Sequence, residues 1–564
     1  MTSKRKSVQK NRPADEALMK GAPAGQGAFS GDREAARWPP PPGPLLGKEG
    51  GHRPDRLAPL PQSRQWLYGA AALLFVAWVL ALNFRPVIAN DFWIHLRVGE
   101  DILHAGQIPR VDDYSAIGRG RPFLAHEWLG AVAIAEVVRL FGALGPTLLR
   151  EAVALGIVAL LFGALPASAR RSPLLVPLLA LCVYLTSWRL EVRPDLLTML
   201  LFAAFVFAAE RWRRTRRLWD LVWLVPLEVL WTNLHGAFLY GVVFLWGLTG
   251  CVVLAAALPW TQRVDRAYSW TDAAIVLMIT IDCTLAPLLN PYGTDLIRHT
   301  ISMSQGHDFD AMRTLITEWH PPFAATSYFR ANFPYMAVAF AVQLALLWAG
   351  LLLRLRARPL VDVCIAASVT WLGVSANRFI PFAAIAGFPI AVRCGDALLA
   401  RVSGATGRRW DAARVRPLVE CAVLAVILWT TIGYGYVLGP GRRSALGWGY
   451  GGRRPVAEVA YIRDHHLQGT LYVETLTEGS FIVHELYPAV RPVMDARVDF
   501  VGEKLYLEYE HSHDSGQALL AYLHRYDAQL AIVNRNSWMA PYLVRSGEWN
   551  IASQSDERVL LVRR

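Results

Sequence analysis

The chain has 564 residues, of which 54% are hydrophobic and 18% are charged, and its formal net charge is +12. This hydrophobic share, with a mean hydropathy of +0.28, excludes an ordinary soluble domain and indicates a polytopic membrane protein. The 21 tryptophans and 19 tyrosines suit side chains at the headgroup level of a bilayer. The six cysteines lie in or beside apolar runs, which argues against a disulfide framework or a zinc-binding motif.

Residues 1–64 are rich in Pro, Gly, Lys and Arg and cannot bury enough apolar surface to order themselves. We predict a disordered tail, which the positive-inside rule places in the cytoplasm. The tail is too long and too polar for a cleaved signal peptide. The apolar segment after it, "WLYGAAALLFVAWVLALNF", is therefore predicted to be a retained membrane anchor.

Crossing the bilayer takes roughly 20 apolar residues per helix, and the chain offers about eleven such segments. They are about 66–84, 146–166, 173–187, 194–210, 218–234, 237–258, 272–289, 334–353, 359–375, 379–399 and 417–438. The ambiguous segment 127–145 is predicted to lie at the outer surface, because a further span there would move the basic loops outside. The predicted architecture is a polytopic α-helical membrane domain (65–440), with a first extracytoplasmic loop at 85–145. A small α/β domain (445–564) follows on the outer side.

The loop after the first span, "ANDFWIHLRVGEDILHAGQIPRVDDYS", combines an amphipathic helix with several charges. Its apolar residues Ile94, Val98 and Ile102 recur every four positions, which is typical of an amphipathic helix. Asp91 falls at the start of this helix, either as an N-cap or as a carboxylate offered to a substrate, and His95 follows on the same face.

Other loop residues give weaker signals. Asp112 and Asp113 indicate a turn first and metal or substrate binding second. His126 and Glu127 are more typical of a helix cap with a surface charge than of a catalytic dyad, and their spacing matches no zinc signature.

Several polar residues fall in or beside the predicted spans. Glu228 and Asp282 lie in the outer halves of their predicted helices. The sequence is equally compatible with a functional role and with a packing contact for these two carboxylates. Arg193 and Arg378, with Arg189, stand at the outer ends of spans, where they either snorkel or hold a phosphate.

Three further residues occur in polar motifs predicted on the same side. His235 in "NLHG", Tyr292 in "NPYG" and Glu318 in "TEWHPP" either line an outer cavity or end helices. A carboxylate base with cations near a lipid phosphate suits transfer of a group from that lipid to an acceptor hydroxyl. The sequence therefore indicates an outward-facing transferase site.

The order of these parts resembles the GT-C superfamily of membrane glycosyltransferases, in its protein mannosyltransferase and aminoarabinose transferase branch and its oligosaccharyltransferase branch. The matching pieces are "DFWIHLRVGEDILHAG", "QIP" and "EWLGAVAIAEVVRLFGALGPTLLREAVAL". By this resemblance Asp91 takes the place of the first loop carboxylate, a catalytic base or metal ligand. Phe92 stands where the first branch has a second acid, and "FLAHEWL" replaces its K-P-P segment.

The resemblance implies an inverting hexosyltransferase in the cytoplasmic (inner) membrane that uses a polyprenyl-phosphate-linked sugar. The acceptor is a lipid, a glycan or a protein, and no nucleic acid is involved. The resemblance implies no particular cofactor and is compatible with a divalent metal. Two alternatives stay open: a transporter or flippase of lipid-linked sugars, disfavoured because no internal repeat is evident, and a catalytically inactive envelope scaffold.

The predicted α/β domain carries one further candidate. Asp495, Arg497 and Asp499 alternate in "RPVMDARVDF". They could bind an acceptor, but a surface ion pair is the favoured interpretation.

Overall fold

The computed structural model describes residues 62–258, 267–305, 316–324, 334–354, 359–406, 412–437, 446–452 and 454–564. The tail predicted for residues 1–64 lies outside these ranges up to residue 61, as do parts of the basic loops that set the predicted orientation. The disordered tail and its cytoplasmic side stay predictions.

Helices make up most of the described chain. Up to the last apolar segment they are α1 (Gln62–Asn83), α2 (Phe92–Ala105), α3 (Trp128–Phe141), α4 (Gly145–Ala164), α5 (Leu175–Ser187), α6 (Asp195–Thr215), α7 (Trp219–Val222), α8 (Leu224–Leu234), α9 (Leu239–Ala257), α10 (Trp270–Leu285), α11 (Thr294–Gln305), α12 (Pro334–Arg354), α13 (Leu360–Ser375), α14 (Ile380–Thr406) and α15 (Ala412–Val437). Each predicted apolar segment coincides with one of these helices, or, for 218–234, with the pair α7 and α8. Their apolar runs form helices because a backbone in lipid must satisfy its hydrogen bonds within the segment.

Six stretches in the described part are long and apolar enough to cross a membrane, and three shorter apolar helices accompany them. The chain is thus a multi-pass membrane protein, while the count of eleven stays a prediction. Helix α14 lies at the centre of the bundle and packs against α12, α13, α5 and α6. Its Phe388, Ile390 and Cys394 are almost completely buried, as expected of a helix surrounded by other helices.

Helices α3 and α4 belong to one apolar stretch, Trp128–Ala164. A straight helix of that length would span about 55 Å, well beyond the ~30 Å hydrocarbon core. The stretch is broken at Gly142, whose φ of 56° is one that glycine adopts readily. The structure thus separates α3 from α4, and the surface placement predicted for 127–145 stays a prediction.

Two glycines bring α3 close to its neighbours. A side chain at Gly99 of α2 would collide with the Ala131 carbonyl of α3, and one at Gly130 would collide with the Leu234 carbonyl and with Pro194. Small residues at these points allow the backbones to approach closely. The start of α3 therefore packs closely against the segment that precedes α6 and against the end of α8.

Residues 456–563 form an α/β region with a five-stranded sheet, whose strands are β1 (Gly469–Val473), β2 (Val490–Pro492), β3 (Ala528–Asn534), β4 (Trp549–Gln554) and β5 (Arg558–Arg563). Their order in the sheet is β2-β1-β3-β5-β4. Strands β1, β2 and β3 are parallel, and β5 pairs antiparallel with β3 and β4. The helices are α16 (Val456–Asp464), α17 (Leu476–Leu486), α18 (Val498–Val501), α19 (Glu503–His511), α20 (Gly516–Arg525) and α21 (Met539–Arg545). The predicted small α/β fold is present, while its place outside the membrane stays a prediction.

Ion pairs fasten the first loop to this α/β region. Arg497 binds Asp495 at 2.6 Å and Asp112 at 2.7 Å, and all three side chains are buried. The surface ion pair predicted for Asp495 and Arg497 is therefore wrong in its location, because the loop covers it. Asp113 contacts Arg491 at 2.9 Å and accepts a hydrogen bond from Tyr487. Burial acts to raise the pKa of Asp113, but Arg491 and Tyr487 hold it below its usual value.

Candidate active site

Asp91 lies at the N-terminus of α2 but does not cap the helix with its side chain. Its Oδ2 is 3.5 Å from Arg193 Nη1 and 4.0 Å from His95 Nε2. Its Oδ1 is buried and has no hydrogen-bond partner in the described part of the chain. The side-chain cap is thus absent at Asp91, and a role of this carboxylate toward a substrate stays a prediction.

Three arginines converge on the same place. Arg189 pairs with both Asp195 and Glu318, and Arg193 lies 3.2 Å from Asp195 and 3.8 Å from Glu318. Arg378 lies over the Trp319 ring, 4.0 Å from its centre. The arginines come from the segment before α6 and the turn before α14, so the bundle itself positions them.

These charges keep Glu318 ionised. Burial alone would raise the pKa of Glu318, but Arg189, Arg193 and Arg378 together lower it to about 2. Burial lowers the pKa of Arg189 to about 9, so its guanidinium is still a cation at neutral pH. The site thus holds positively and negatively charged side chains close together and largely shielded from solvent, where their interactions are stronger than in water.

Glu127 is surrounded by three imidazoles. Its carboxylate oxygens lie 3.1 Å from His235 Nε2, 3.2 Å from His95 Nε2 and 3.5 Å from His126 Nε2. Burial acts to raise the pKa of Glu127, but the imidazoles lower it below its usual value. The surface location expected for this pair is therefore wrong, because α3 begins beneath the loop rather than in solvent.

The hydrogen bonds of His235 fix its protonation. Its Nδ1 accepts from the Ala237 backbone N–H at 3.0 Å, so its proton sits on Nε2 and points at Glu127. Burial lowers the pKa of His235 to about 3, and the imidazole is neutral at pH 7. His235 therefore acts as a fixed hydrogen-bond donor.

The charged groups surround a cavity of about 170 Å³. This is room for several water molecules or a compact polar group. Its lining comprises Asp91, Glu127, Arg189, Arg193, Pro194, Asp195, His235, Ile316, Glu318, Trp319 and Arg378. A larger cleft of about 790 Å³ shares Asp91 and Glu127 with it.

The structure thus brings together most of the predicted site residues: Asp91, His95, His126, Glu127, Arg193, His235, Glu318 and Arg378. Tyr292 lies elsewhere; its hydroxyl accepts from the Ala125 N–H at 3.0 Å and supports the loop backbone. Asp112 and Asp113 join the loop to the α/β region. Glu228 is buried within α8, and Asp282 is exposed on α10.

Asp195 and Trp319 also line the cavity but are missing from the residues predicted by sequence. Asp195 is the first residue of α6 and directly follows Arg193-Pro194. The short "RPD" motif was the available signal, since an acid beside an arginine at a helix start suggests a paired site. Trp319 gave no signal distinct from that of the other interfacial tryptophans.

The carboxylates of this site are matched with cations and imidazoles rather than grouped with each other. Across the described ranges, no group of three His, Cys, Asp or Glu side chains has the arrangement needed to hold a metal ion. A divalent metal stays an expectation from the resemblance.

No protein-family model matches this sequence, and no curated protein matches it significantly. Solved structures do match. The archaeal oligosaccharyltransferase AglB from Archaeoglobus fulgidus, in complex with an inhibitory peptide and a dolichol-phosphate, is 11% identical with a TM-score of 0.51, and the match covers 84% of this chain and 70% of that chain. The apo form of the oligosaccharyltransferase from that organism gives 12% identity and a TM-score of 0.51, over 83% of this chain and 69% of that one.

ArnT from Cupriavidus metallidurans, bound to undecaprenyl phosphate, is 13% identical over 88% of this chain and 98% of its own, with a TM-score of 0.48. The likeness of fold rests on the archaeal enzyme. This chain shares the fold of the archaeal oligosaccharyltransferase.

Proposed function

We propose, from this shared fold and from the unpartnered carboxylate beneath the first loop, that the protein is a membrane glycosyltransferase. It moves a sugar from a polyprenyl-phosphate donor to an acceptor hydroxyl. The observation that carries the proposal is Asp91, whose buried Oδ1 has no hydrogen-bond partner among the described residues and which faces a cavity containing arginines. A carboxylate is held in this way at a cost in stability, which is expected where it has a chemical task.

The proposed reaction is a single displacement that inverts the anomeric carbon. The acceptor oxygen forms a bond to that carbon while its proton passes to Asp91. The bond between the anomeric carbon and the phosphate oxygen breaks, and its electron pair leaves with the polyprenyl phosphate. Asp91 thus acts as general base, a role that contributes typically 10²–10⁴-fold to rate.

Arg193 and Arg378 are the proposed ligands of the phosphate. A planar guanidinium matches two phosphate oxygens at once, and its charge stabilises the negative charge that develops on the leaving group. Arg378 is the better placed of the two because its described contact is the Trp319 ring rather than a carboxylate. Glu318, paired with Arg189, holds these cations near the cavity.

Glu127 and its imidazoles form the boundary between the cavity and the larger cleft. His235 and His95 hold Glu127 in place, and His95 also lies near Asp91. We assign these residues to orientation of Asp91 and of the acceptor hydroxyl. In this proposal the protein lies in the cytoplasmic membrane with about eleven spans, its N-terminus inside and the α/β region outside.

The first test is transfer of radiolabelled sugar from a polyprenyl-phosphate donor pool in membranes that contain equal amounts of wild type or Asp91→Asn. We expect the variant to lose 10²–10⁴-fold in rate. Asp295→Asn is the matched control, since that exposed aspartate pairs only with Arg298 in the described structure and should leave the rate unchanged. Equal activity of Asp91→Asn and wild type would remove Asp91 from the mechanism. Absence of wild-type turnover with every donor tried would favour a transporter or an inactive scaffold.

A further inference from the structure

The cleft of about 790 Å³ lies between the first loop and the α/β region. One wall is formed by α2 and by residues 121–128, and the other by residues 496–505 with Arg525. Its volume is typical of a pocket that encloses a small organic ligand. Asp91 and Glu127 line both the cleft and the smaller cavity, and thus mark the end of the cleft that meets that cavity. A ligand in the cleft would thus present one end to the proposed base.

The outer part of the cleft is cationic. Arg121, Lys504 and Arg525 line it, with Glu503 as the one acid among the lining residues beyond Asp91 and Glu127. Arg525 already binds Glu508 at 3.0 Å. Arg121 instead stacks on Phe500, 5.2 Å from the ring centre, and its buried Nη1 has no hydrogen-bond partner in the described part of the chain. A buried N–H of a guanidinium without an acceptor is costly, and an anionic ligand would supply the missing acceptor.

Aromatic side chains also line the same cleft. Phe123 from the loop and Phe500 from the α/β region meet edge to face, with ring centres 5.3 Å apart. Trp128 lies at the inner end, where its Nε1 donates to Asn233 Oδ1 at 3.0 Å. Aromatic faces beside hydrogen-bonding groups suit ligands with one apolar face and a polar edge, as sugar rings have.

We infer that this cleft binds the acceptor and that the acceptor is a saccharide bearing a phosphate or carboxylate group. The inference rests on the proposed function, since it assigns the second substrate of that transfer. The anionic group would pair with Arg121 and Lys504, a ring would lie beside the half-buried Trp128 and Phe500, and a hydroxyl would reach Asp91. A saccharide is favoured over an acidic peptide because the reaction needs a hydroxyl at the inner end and aromatic side chains line the cleft beside its cations.

The test is calorimetric titration of the full-length protein in detergent with trehalose 6-phosphate, with neutral trehalose and with a hexaglutamate peptide. We expect the phosphorylated sugar to bind at least 10-fold more tightly than trehalose, and more tightly than the peptide. Raising the salt concentration should weaken this binding, because the outer charges are accessible to ions.

Two charge reversals locate the binding. Lys504→Glu changes an exposed side chain and should leave the fold intact while it weakens trehalose 6-phosphate binding about 10-fold, with a further loss in Arg121→Glu. The matched control is Arg545→Glu, an exposed arginine of the same α/β region that does not line the cleft. Equal binding of the two sugars, tighter binding of the peptide, or equal affinities in all three variants would overturn the inference.

Farnesyl phosphate, titrated into the same proteins, separates this inference from the proposed function. If farnesyl phosphate binds with equal affinity to wild type and to Lys504→Glu, the donor side is intact, and absence of binding by trehalose 6-phosphate then overturns only the acceptor assignment. If farnesyl phosphate does not bind the wild type, the proposed function itself fails and the inference falls with it.

Discussion

Two buried clusters of arginines and carboxylates stand at opposite ends of α6, about 22 Å apart along the helix from Asp195 to Glu210. The loop-side cluster is the candidate site and comprises Asp91, Glu127, Arg189, Arg193, Asp195, His235, Glu318 and Arg378. The far-side cluster comprises Glu210, Arg213, Arg354, Asp362 and Arg393. The composition of the two is alike, so the difference between them lies in geometry.

In the far-side cluster every carboxylate oxygen has a cationic partner. Glu210 binds Arg213 at 2.5 Å and Arg393 at 2.7 Å. Asp362 binds Arg213 at 2.6 Å, Arg393 at 3.0 Å and Arg354 at 3.1 Å. These residues line neither the cavity nor the cleft described above. Their contacts join α6, α12, α13 and α14, which is what a structural ion-pair network does.

The loop-side cluster is less completely paired. Asp91 Oδ1 and the Nε atoms of Arg189 and Arg193 are buried without a hydrogen-bond partner in the described part of the chain. The three residues that carry these atoms line the cavity of about 170 Å³. The comparison teaches that buried charge alone does not identify a functional site, because structural networks bury charge as well. Charge that is incompletely paired beside a cavity is the more informative sign.

The largest effect on stability is expected at the far side. Arg393→Met leaves Glu210 and Asp362 each with one cationic partner fewer, and breaking such a buried network typically costs about 3–5 kcal/mol. Arg193→Met should cost less, about 1–2 kcal/mol, because its contacts to carboxylates, at 3.2–3.8 Å, are longer than the 2.7 and 3.0 Å contacts of Arg393, but it should abolish sugar transfer. Thermal unfolding in detergent and the transfer assay measure the two quantities. A larger stability loss in Arg193→Met would reverse the comparison.

A pH-dependent effect on stability is expected from His235 at the loop side. The folded pKa of His235 is about 3 because of burial, so between pH 6.5 and 3 the unfolded chain binds a proton that the folded chain does not. Stability therefore falls as the pH falls through this window, by ~2 kcal/mol at pH 5. His235→Gln keeps an N–H donor and should lose less stability than wild type between pH 7 and pH 5. The control is His104→Gln at an exposed site, and an identical loss in wild type and His235→Gln would contradict the assignment.

The smallest effect is expected on the affinity for farnesyl phosphate, which should change in one cluster and not in the other. Arg378→Lys keeps the charge but loses the planar fork, and we expect about 10-fold weaker binding of farnesyl phosphate, equivalent to about 1.4 kcal/mol. Arg354→Lys makes the same exchange in the far-side cluster and should leave that affinity unchanged. Calorimetric titration measures both. Similar losses in the two variants would mean that the effect is on folding rather than on the phosphate.

Much of the helical architecture follows from the sequence. Apolar runs such as 237–258 and 334–353 have few structural options in a membrane, and the helices α9 and α12 coincide with them. Loop charge had also separated segment 127–145 from the span 146–166, and the structure breaks the stretch Trp128–Ala164 at Gly142, which the sequence analysis did not single out.

The candidate site was only partly predictable. Residue types and their side of the membrane suggested Asp91, Arg193 and Arg378, because charges at helix ends are conspicuous in an apolar chain. The pairing of Glu127 with His235, or of Asp112 with Arg497, joins segments far apart in sequence, and no local pattern encodes such contacts. For this reason the expected surface charge at Glu127 proved to be a buried one.

The meeting of the cavity and the cleft at Asp91 and Glu127 has a kinetic consequence. Two separate volumes allow donor and acceptor to be bound at the same time, so the proposed reaction proceeds through a ternary complex without a sugar attached to the protein. Initial-rate plots at several fixed acceptor concentrations should then intersect rather than run parallel. The enzyme would also retain its lipid donor while waiting for an acceptor, which limits loss of the activated sugar to water.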